Sequence, residues 1–293
     1  MNTRPNILWY CTDQQRFDTI GALGNPYVQT PALDALVHGG TAFTHAYCQS
    51  PICTPSRASF MTGMYPSRIH NCRNGNGTFP DHPPLISKLL ADSGYDCGMA
   101  GKFHLQSSGQ RTEPRLDDGY RYWRFSHAPR DDWEEGHHYG DWVKARGGDL
   151  DALRTHEDRV PPELHQTTWV SECALEFIAE DRAPDTPWML TLNPYSPHEP
   201  LIPSLVYADQ FNPADMPGPH FKESDLAQQE ALEDIVFQTR GQHPDTFNGK
   251  KQQALYYAMI NQIDDQFARI LDGLERTGQR DNTIIIFTSD HGE

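Results

Sequence analysis

Apolar positions along the chain fall into two patterns: short runs that stop at polar turns, and longer stretches with helical spacing. Residues 6–11 (NILWYC) form a short run halted by Thr12-Asp13-Gln14-Gln15, which reads as a buried strand with polar residues at its carboxyl end. Thr30-Pro31 opens PALDALVHGG with an N-cap, a proline at the first helical position and a glycine stop. Residues 41–48 are β-prone, and Pro55-Ser56 lead into a short helix, RASFMTGMY. The amphipathic stretch 84–93 ends at Gly94, and 95–100 reads as a strand that runs into Gly101-Lys102-Phe103-His104. A helical pattern over 167–181 precedes a strand at 188–194 and the turn SPHEP at 196–200. Ile260, Ile263, Phe267, Ile270, Leu271 and Leu274 mark one face of a long helix with Gly278 as its C-cap. The run TIIIFTSD (283–290) is β-branched on both faces, as expected at the centre of a parallel sheet. Strands alternating with helices predict an α/β fold, a mostly parallel central sheet sandwiched by helices.

Two segments escape this pattern. Residues 105–165 are rich in Gly, Arg, Asp, His and Trp without clean periodicity, and 201–245 is irregular. Both are expected to be loops over one face that shape whatever binds there. The chain stops at Ser289-Asp290-His291-Gly292-Glu293, directly after a strand expected to be central. The expectation is therefore a single catalytic domain, 1–293, truncated at its carboxyl end.

Composition narrows the function. With 293 residues, 37% hydrophobic and 22% charged, the chain can bury a large core. Its 40 acidic against 24 basic residues give a net charge of −16, which repels nucleic acid and anionic membranes. An anionic ligand would need a local patch of positive charge. Six cysteines without a CxxC pair exclude a disulfide scaffold and a zinc knuckle. The start MNTRPNILWYCTD has no apolar run of signal-peptide type, and no stretch approaches the roughly 18 apolar residues of a membrane span. A cytoplasmic location with reduced thiols is expected.

Active sites of open α/β sheets lie beyond the carboxyl ends of the strands. There the strands deliver Asp13 and Gln14, Lys102 and His104, His198, and Asp290 and His291; the loop with Cys53 and Arg57 enters the same zone. Two carboxylates, an amide oxygen and an imidazole suit a divalent cation, with calcium or magnesium favoured by the oxygen-rich set and His291 blurring the choice. Arg57, Lys102, His104 and His198 are donors suited to a tetrahedral oxyanion, and together with a cation they would make a positive pocket in an acidic protein. Simpler readings exist for single residues: Asp13 and Asp290 as caps, His104 and His198 as core histidines, Arg57 as a turn cap. The stretch DDWEEGHHYGDW (131–142) reads as a solvated loop with aromatic anchors rather than a second metal site, Tyr256-Tyr257 as helix packing, and Cys11, Cys48, Cys72, Cys97 and Cys173 as free thiols.

Cys53-Thr54-Pro55-Ser56-Arg57 resembles the C-x-P-S-R signature of the type I sulfatases, in the alkaline phosphatase superfamily. The resemblance extends over most of the chain, through PNILWYCTDQQR, GKFHL, SPHEP, YYAMINQIDDQ and TSDHGE in the family's order. It implies an alkaline phosphatase-like sheet, with a smaller C-terminal subdomain that this sequence lacks. It implies that a separate maturing enzyme converts Cys53 to Cα-formylglycine, whose hydrate is the nucleophile. Residues matching Asp13, Gln14, Asp290 and His291, with the modified side chain at 53, would hold Ca2+, with Mg2+ or Mn2+ as alternatives. Those matching Arg57, Lys102, His104 and His198 would bind the nucleophile or the sulfate oxygens, His198 giving a proton to the leaving oxygen and His104 assisting deprotonation. The implied reaction is hydrolysis of a sulfate monoester of a small molecule or carbohydrate to alcohol and sulfate. Two departures stand out: Gln14 replaces a frequent aspartate, and the lysine usual after the DHG motif is missing. Phosphonate monoester and phosphodiester hydrolases of the superfamily share formylglycine and the Asp-Gln pair; an inactive binding fragment is the remaining alternative.

Overall fold

An apolar run such as NILWYC must pair its backbone amides laterally if it is to be buried. The computed structural model, which describes residues 4–75, 79, 83–108, 111, 113–129, 132–155, 160–183, 186–232 and 241–292, pairs them on both sides. Five strands, β1 (Asn6–Thr12), β2 (Asp96–Gly101), β3 (Tyr122–Phe125), β4 (Trp188–Asn193) and β5 (Thr283–Ser289), form one sheet in the order β3-β2-β4-β1-β5. Every pairing is parallel. Asn6 lies opposite Thr283 and Thr12 opposite Ser289, while Ile7 faces Met189 on the other side.

Parallel strands need crossovers, and helices supply them. These are α1 (Pro31–Gly39), α2 (Cys53–Thr62), α3 (Ile86–Asp92), α4 (His138–Ala145), α5 (Leu150–Thr155), α6 (Gln166–Ala179), α7 (Leu205–Ala208), α8 (Glu223–Glu230) and α9 (Gly249–Arg276). The strand pleat splits the core in two. Leu8 and Tyr10 of β1, with Leu190 and Leu192 of β4, pack against Phe177 of α6 and Ile260, Ile263 and Phe267 of α9. Ile7 and Trp9 face the opposite side, where Met99 and Met189 meet Ala58 and Met61 of α2 and the residues around α3. Each fully buried Leu, Ile or Phe contributes about 1.5–3 kcal/mol, so these two layers fix where the strand ends lie.

Four expectations are revised. β5 is an edge strand among the described residues: Ile285 and Phe287 pack on the α9 core, while Ile284 is 49% and Ile286 37% exposed. Its β-branched run fits a strand of either kind. Residues 41–48 form no strand; they are irregular and exposed, because no neighbouring strand offers them partners. The aperiodic segment 105–165 contains β3, α4 and α5, whose aromatic and charged residues carry no simple period. Finally, α2 begins at Cys53, not after Ser56, since Pro55 is tolerated within a first turn whose amides have no helical partner. Within 201–245, α7 and α8 are short helices, and 233–240 lie outside the described residues, as do Asp131 and Glu293. Among the described residues no helix is long and apolar enough to cross a membrane.

Candidate active site

The sheet register assembles the site. β1 and β5 run side by side to Thr12 and Ser289, so the next residues, Asp13 and Asp290, emerge together; the Asp290 N–H donates to Thr12 O at 3.1 Å. On the other side of β4, Gly101 faces Asn193, and the Lys102 N–H donates to Asn193 O at 2.8 Å. Gly101 has φ 110°, and a Cβ there would lie 2.0 Å from the Asn193 carbonyl oxygen, so only glycine lets β2 hand Lys102 to the centre. The Ser196–Pro197 turn beyond β4 is tied to Asp13 by a further bridge, which brings His198 to the same end. The first turn of α2 contributes Cys53 and Arg57.

Cys53 Sγ lies 3.1 Å from His291 Nε2, 3.5 Å from Asp13 Oδ1 and 3.5 Å from Lys102 Nζ. Ligand atoms of Asp13, Cys53, Asp290 and His291 all fall within 4.8 Å of one another, and all four residues are buried. Lys102 Nζ pairs with Asp13 Oδ2 at 2.5 Å and sits 5.0 Å from the Tyr195 ring centroid. Arg57 donates through Nε to Asp290 Oδ2 at 2.9 Å and through Nη1 to Lys102 O at 3.0 Å. Its Nη2 lies 3.5 Å from Asp13 Oδ2 and makes no hydrogen bond among the described residues. Two buried anions are thus matched by two buried cations, the condition for keeping such charges out of water. Burial alone would raise the Asp13 carboxyl, but the Lys102 ammonium and the Arg57 guanidinium overcome it and hold it well below the usual carboxylate range. Burial and then the Asp13 charge push the Asp290 carboxyl upward.

Surrounding groups orient these side chains. His291 Nδ1 meets the Gly292 carbonyl at 2.8 Å, so that nitrogen carries the proton and Nε2 turns its lone pair to Cys53 and the carboxylates. Gln14 has φ 64°; its N–H donates to Asp290 Oδ1 at 2.9 Å. Ser56 donates its hydroxyl to the Asp290 carbonyl. Tyr256 of α9 donates to Gln14 O at 2.7 Å and accepts the Arg16 N–H at 2.8 Å, so it pins the turn that carries Asp13 and Gln14. His104 is buried, and its ring stands edge-on to His127 at 5.0 Å between centroids. Its Nδ1 has no hydrogen-bond partner among the described residues. Burial, followed by the Lys102, His127 and Arg57 charges, keeps its pKa well below the ordinary value, so it is neutral at neutral pH. His198 is half-buried, with Nδ1 at 2.7 Å from the Glu199 carbonyl and its ring at 4.7 Å from Tyr195.

All the candidate residues therefore gather at one end of the sheet, His198 at its rim. Sequence reasoning missed three contributors. Ser56 was visible only as part of a motif, Tyr256 as helix packing, and Glu113, which accepts backbone N–H groups beside His104, lay in the aperiodic segment. His137 and His138 are structural: their rings accept the backbone N–H groups of His127 and Phe125 at 3.1 and 3.0 Å.

The donor set fits an oxygen-preferring divalent cation: two carboxylates and an imidazole lone pair converge beside the residue-53 side chain. A parallel sheet bearing such a cluster at its carboxyl edge places the chain among the alkaline phosphatase-like α/β proteins. The phosphonate monoester hydrolase of Agrobacterium radiobacter superposes with a TM-score of 0.78 at 24% identity, over 99% of this chain and 63% of that one. The Sulfatase family model matches residues 5–293, and the chain belongs to that family. It is 29% identical to an arylsulfatase of Clostridium perfringens over 99% of this chain and 63% of the relative. It is 30% identical to the multifunctional alkaline phosphatase superfamily protein PehA of Trinickia caryophylli, with the same coverage of both. The chain thus spans less than two thirds of the length of these relatives.

Proposed function

We propose that the protein hydrolyses sulfate monoesters, with residue 53 as nucleophile after conversion to formylglycine and a divalent cation, Ca2+ first, beside it. The observation that carries the reading is the convergence of Cys53 Sγ with Asp13, His291 and Lys102 inside a buried cluster. A bound hydrated aldehyde and cation would supply a nucleophilic hydroxyl at low proton cost and a second hydroxyl whose deprotonation releases sulfate. The chain's own residues do the rest. Asp13, Gln14, Asp290 and His291 would hold the cation. Arg57 and Lys102 keep positive charge fixed where oxyanion charge grows, and being buried they lose little to solvent screening. Neutral His104 would assist proton removal from the hemiacetal, and His198 at the rim would give a proton to the departing alcohol. The substrate is a sulfate ester of a small molecule or carbohydrate, its alcohol read by residues from 105–165 and 201–245, and maturation requires a formylglycine-generating or equivalent enzyme.

A phosphonate monoester or phosphodiester hydrolase is the second reading, favoured by the Asp13-Gln14 pair and by the fold likeness to a phosphonate monoester hydrolase. The two separate by experiment. Peptide mass analysis of protein matured in a competent host should show residue 53 about 18 Da lighter than cysteine. Turnover of an aryl sulfate should exceed that of the matching aryl phosphonate monoester; the reverse order selects the second reading, and an unmodified thiol with no turnover of either sinks both.

A further inference from the structure

The chain turns sharply just after Lys102. His104 has φ 54°, in the left-handed region, without being a glycine. A side chain disfavours that conformation, which persists only where the surroundings hold it. The surroundings here are one carboxylate. Glu113 Oε2 accepts the His104 N–H at 3.0 Å, while Oε1 accepts those of Leu105 at 2.7 Å and Gln106 at 3.3 Å. Three successive amides converge on one carboxyl group and form a backbone nest filled by the protein's own side chain; burial pushes that carboxyl up to about 7 although the three amides pull it down. Gln106 Nε2 donates to Pro114 O at 3.1 Å and Asn71 Nδ2 to Leu105 O at 3.2 Å, so the turn is closed from both sides. The buried His104 ring stands edge-on to His127 and has no hydrogen bond at Nδ1 among the described residues, so no hydrogen bond at that nitrogen fixes the ring and the backbone turn carries its orientation.

We infer that Glu113 is a positioning residue: its carboxylate fixes the left-handed turn at His104 and thereby holds the imidazole against the reacting centre. The inference rests on the reading of His104 as a proton-transfer group in the proposed reaction. Glu113 itself touches no reacting atom. Its effect on turnover runs through His104, while the Leu105 and Gln106 amides it also holds belong to the same turn.

The test uses the full-length matured protein and the variants Glu113→Ala, Glu113→Gln, His104→Ala and the double Glu113→Ala/His104→Ala. Hydrogen exchange of the peptide covering 104–106 should speed up about tenfold or more in Glu113→Ala and less in Glu113→Gln, whose amide oxygen still accepts. On an aryl sulfate, at equal formylglycine content, Glu113→Ala should lower kcat about tenfold or more with KM within about twofold, and Glu113→Gln should recover part of the loss. The double variant should be no slower than His104→Ala, because residues acting through one group do not add. Unchanged exchange, or losses that multiply in the double variant, overturns the inference. If Glu113→Ala does not fold, Glu113→Gln and its own double with His104→Ala carry the same comparison. A wild type inactive toward every ester overturns the proposed function instead, and the exchange measurement still decides whether Glu113 holds the turn.

Discussion

Lys102 and Asp13 show how tightly charge is counted at the centre. Both are buried, and Lys102 Nζ touches Asp13 Oδ2 at 2.5 Å while Arg57 divides itself between Asp13 and Asp290. Deleting one partner of a buried pair strands the other, at a cost of about 3–5 kcal/mol. Lys102→Ala should therefore destabilise the chain by that order in denaturant unfolding, whereas Lys102→Met, which keeps the apolar stem, should recover only packing. A cost below about 1 kcal/mol would mean that water screens the pair. Strand-tip residues such as Asp13, Lys102 and Asp290 were legible because polar side chains directly after apolar runs have one destination in a parallel sheet. Ser56, Tyr256 and Glu113 were not, because each acts on a backbone group, and sequence does not mark which carbonyl or amide needs a partner.

At the scale of elements, helix ends hold the layers in register. α6 starts from His165, whose Nδ1 accepts the Thr167 N–H at 3.1 Å while Nε2 meets Ile202 O at 3.0 Å. Only the neutral ring satisfies both. Burial pulls its pKa down to about 4, below the ordinary 6.5. Between those values the unfolded chain binds more protons than the folded one, so this contribution is complete above pH 6.5 and is lost as pH falls toward 4. The loss amounts to about 3 kcal/mol over the window. Urea unfolding of His165→Asn should show a flatter decline across the same range; an identical slope would place the acid sensitivity elsewhere. The long helix was readable from its stripe of Ile260, Ile263, Phe267 and Ile270, all fully buried. β3 and α4 were not, because Tyr122, Trp123, Arg124 and Phe125 are large on both sides and give no alternation, their stability coming from stacking such as Trp123 on Phe125 at 5.8 Å.

For the whole molecule, the alternation of strands and helices was enough to read a parallel sheet covered on both faces, but not the strand order, which depends on pairings between distant segments. β5 illustrates the difference: its composition is that of an interior strand, yet among the described residues it pairs on one side alone, with Ile284 and Ile286 partly exposed. The site inherits the same dependence. Asp13 and Cys53 come from the first fifth of the chain, Asp290 and His291 from its last residues, and the strand pair that joins them sets Asn6 against Thr283.

That span has a kinetic meaning. Contacts between strands as far apart in sequence as β1 and β5 close late, since a large loop entropy must be overcome first. The candidate cation pocket needs β5 docked on β1, so a cation would have nothing to grip on the uphill side of the folding barrier. It acts instead on the lifetime of the finished molecule. Added calcium should leave the refolding limb of a chevron unchanged and lower the unfolding limb, with stability rising about 2.7 kcal/mol at a hundredfold excess over Kd. Acceleration of refolding by the ion would show that β1 and β5 meet early.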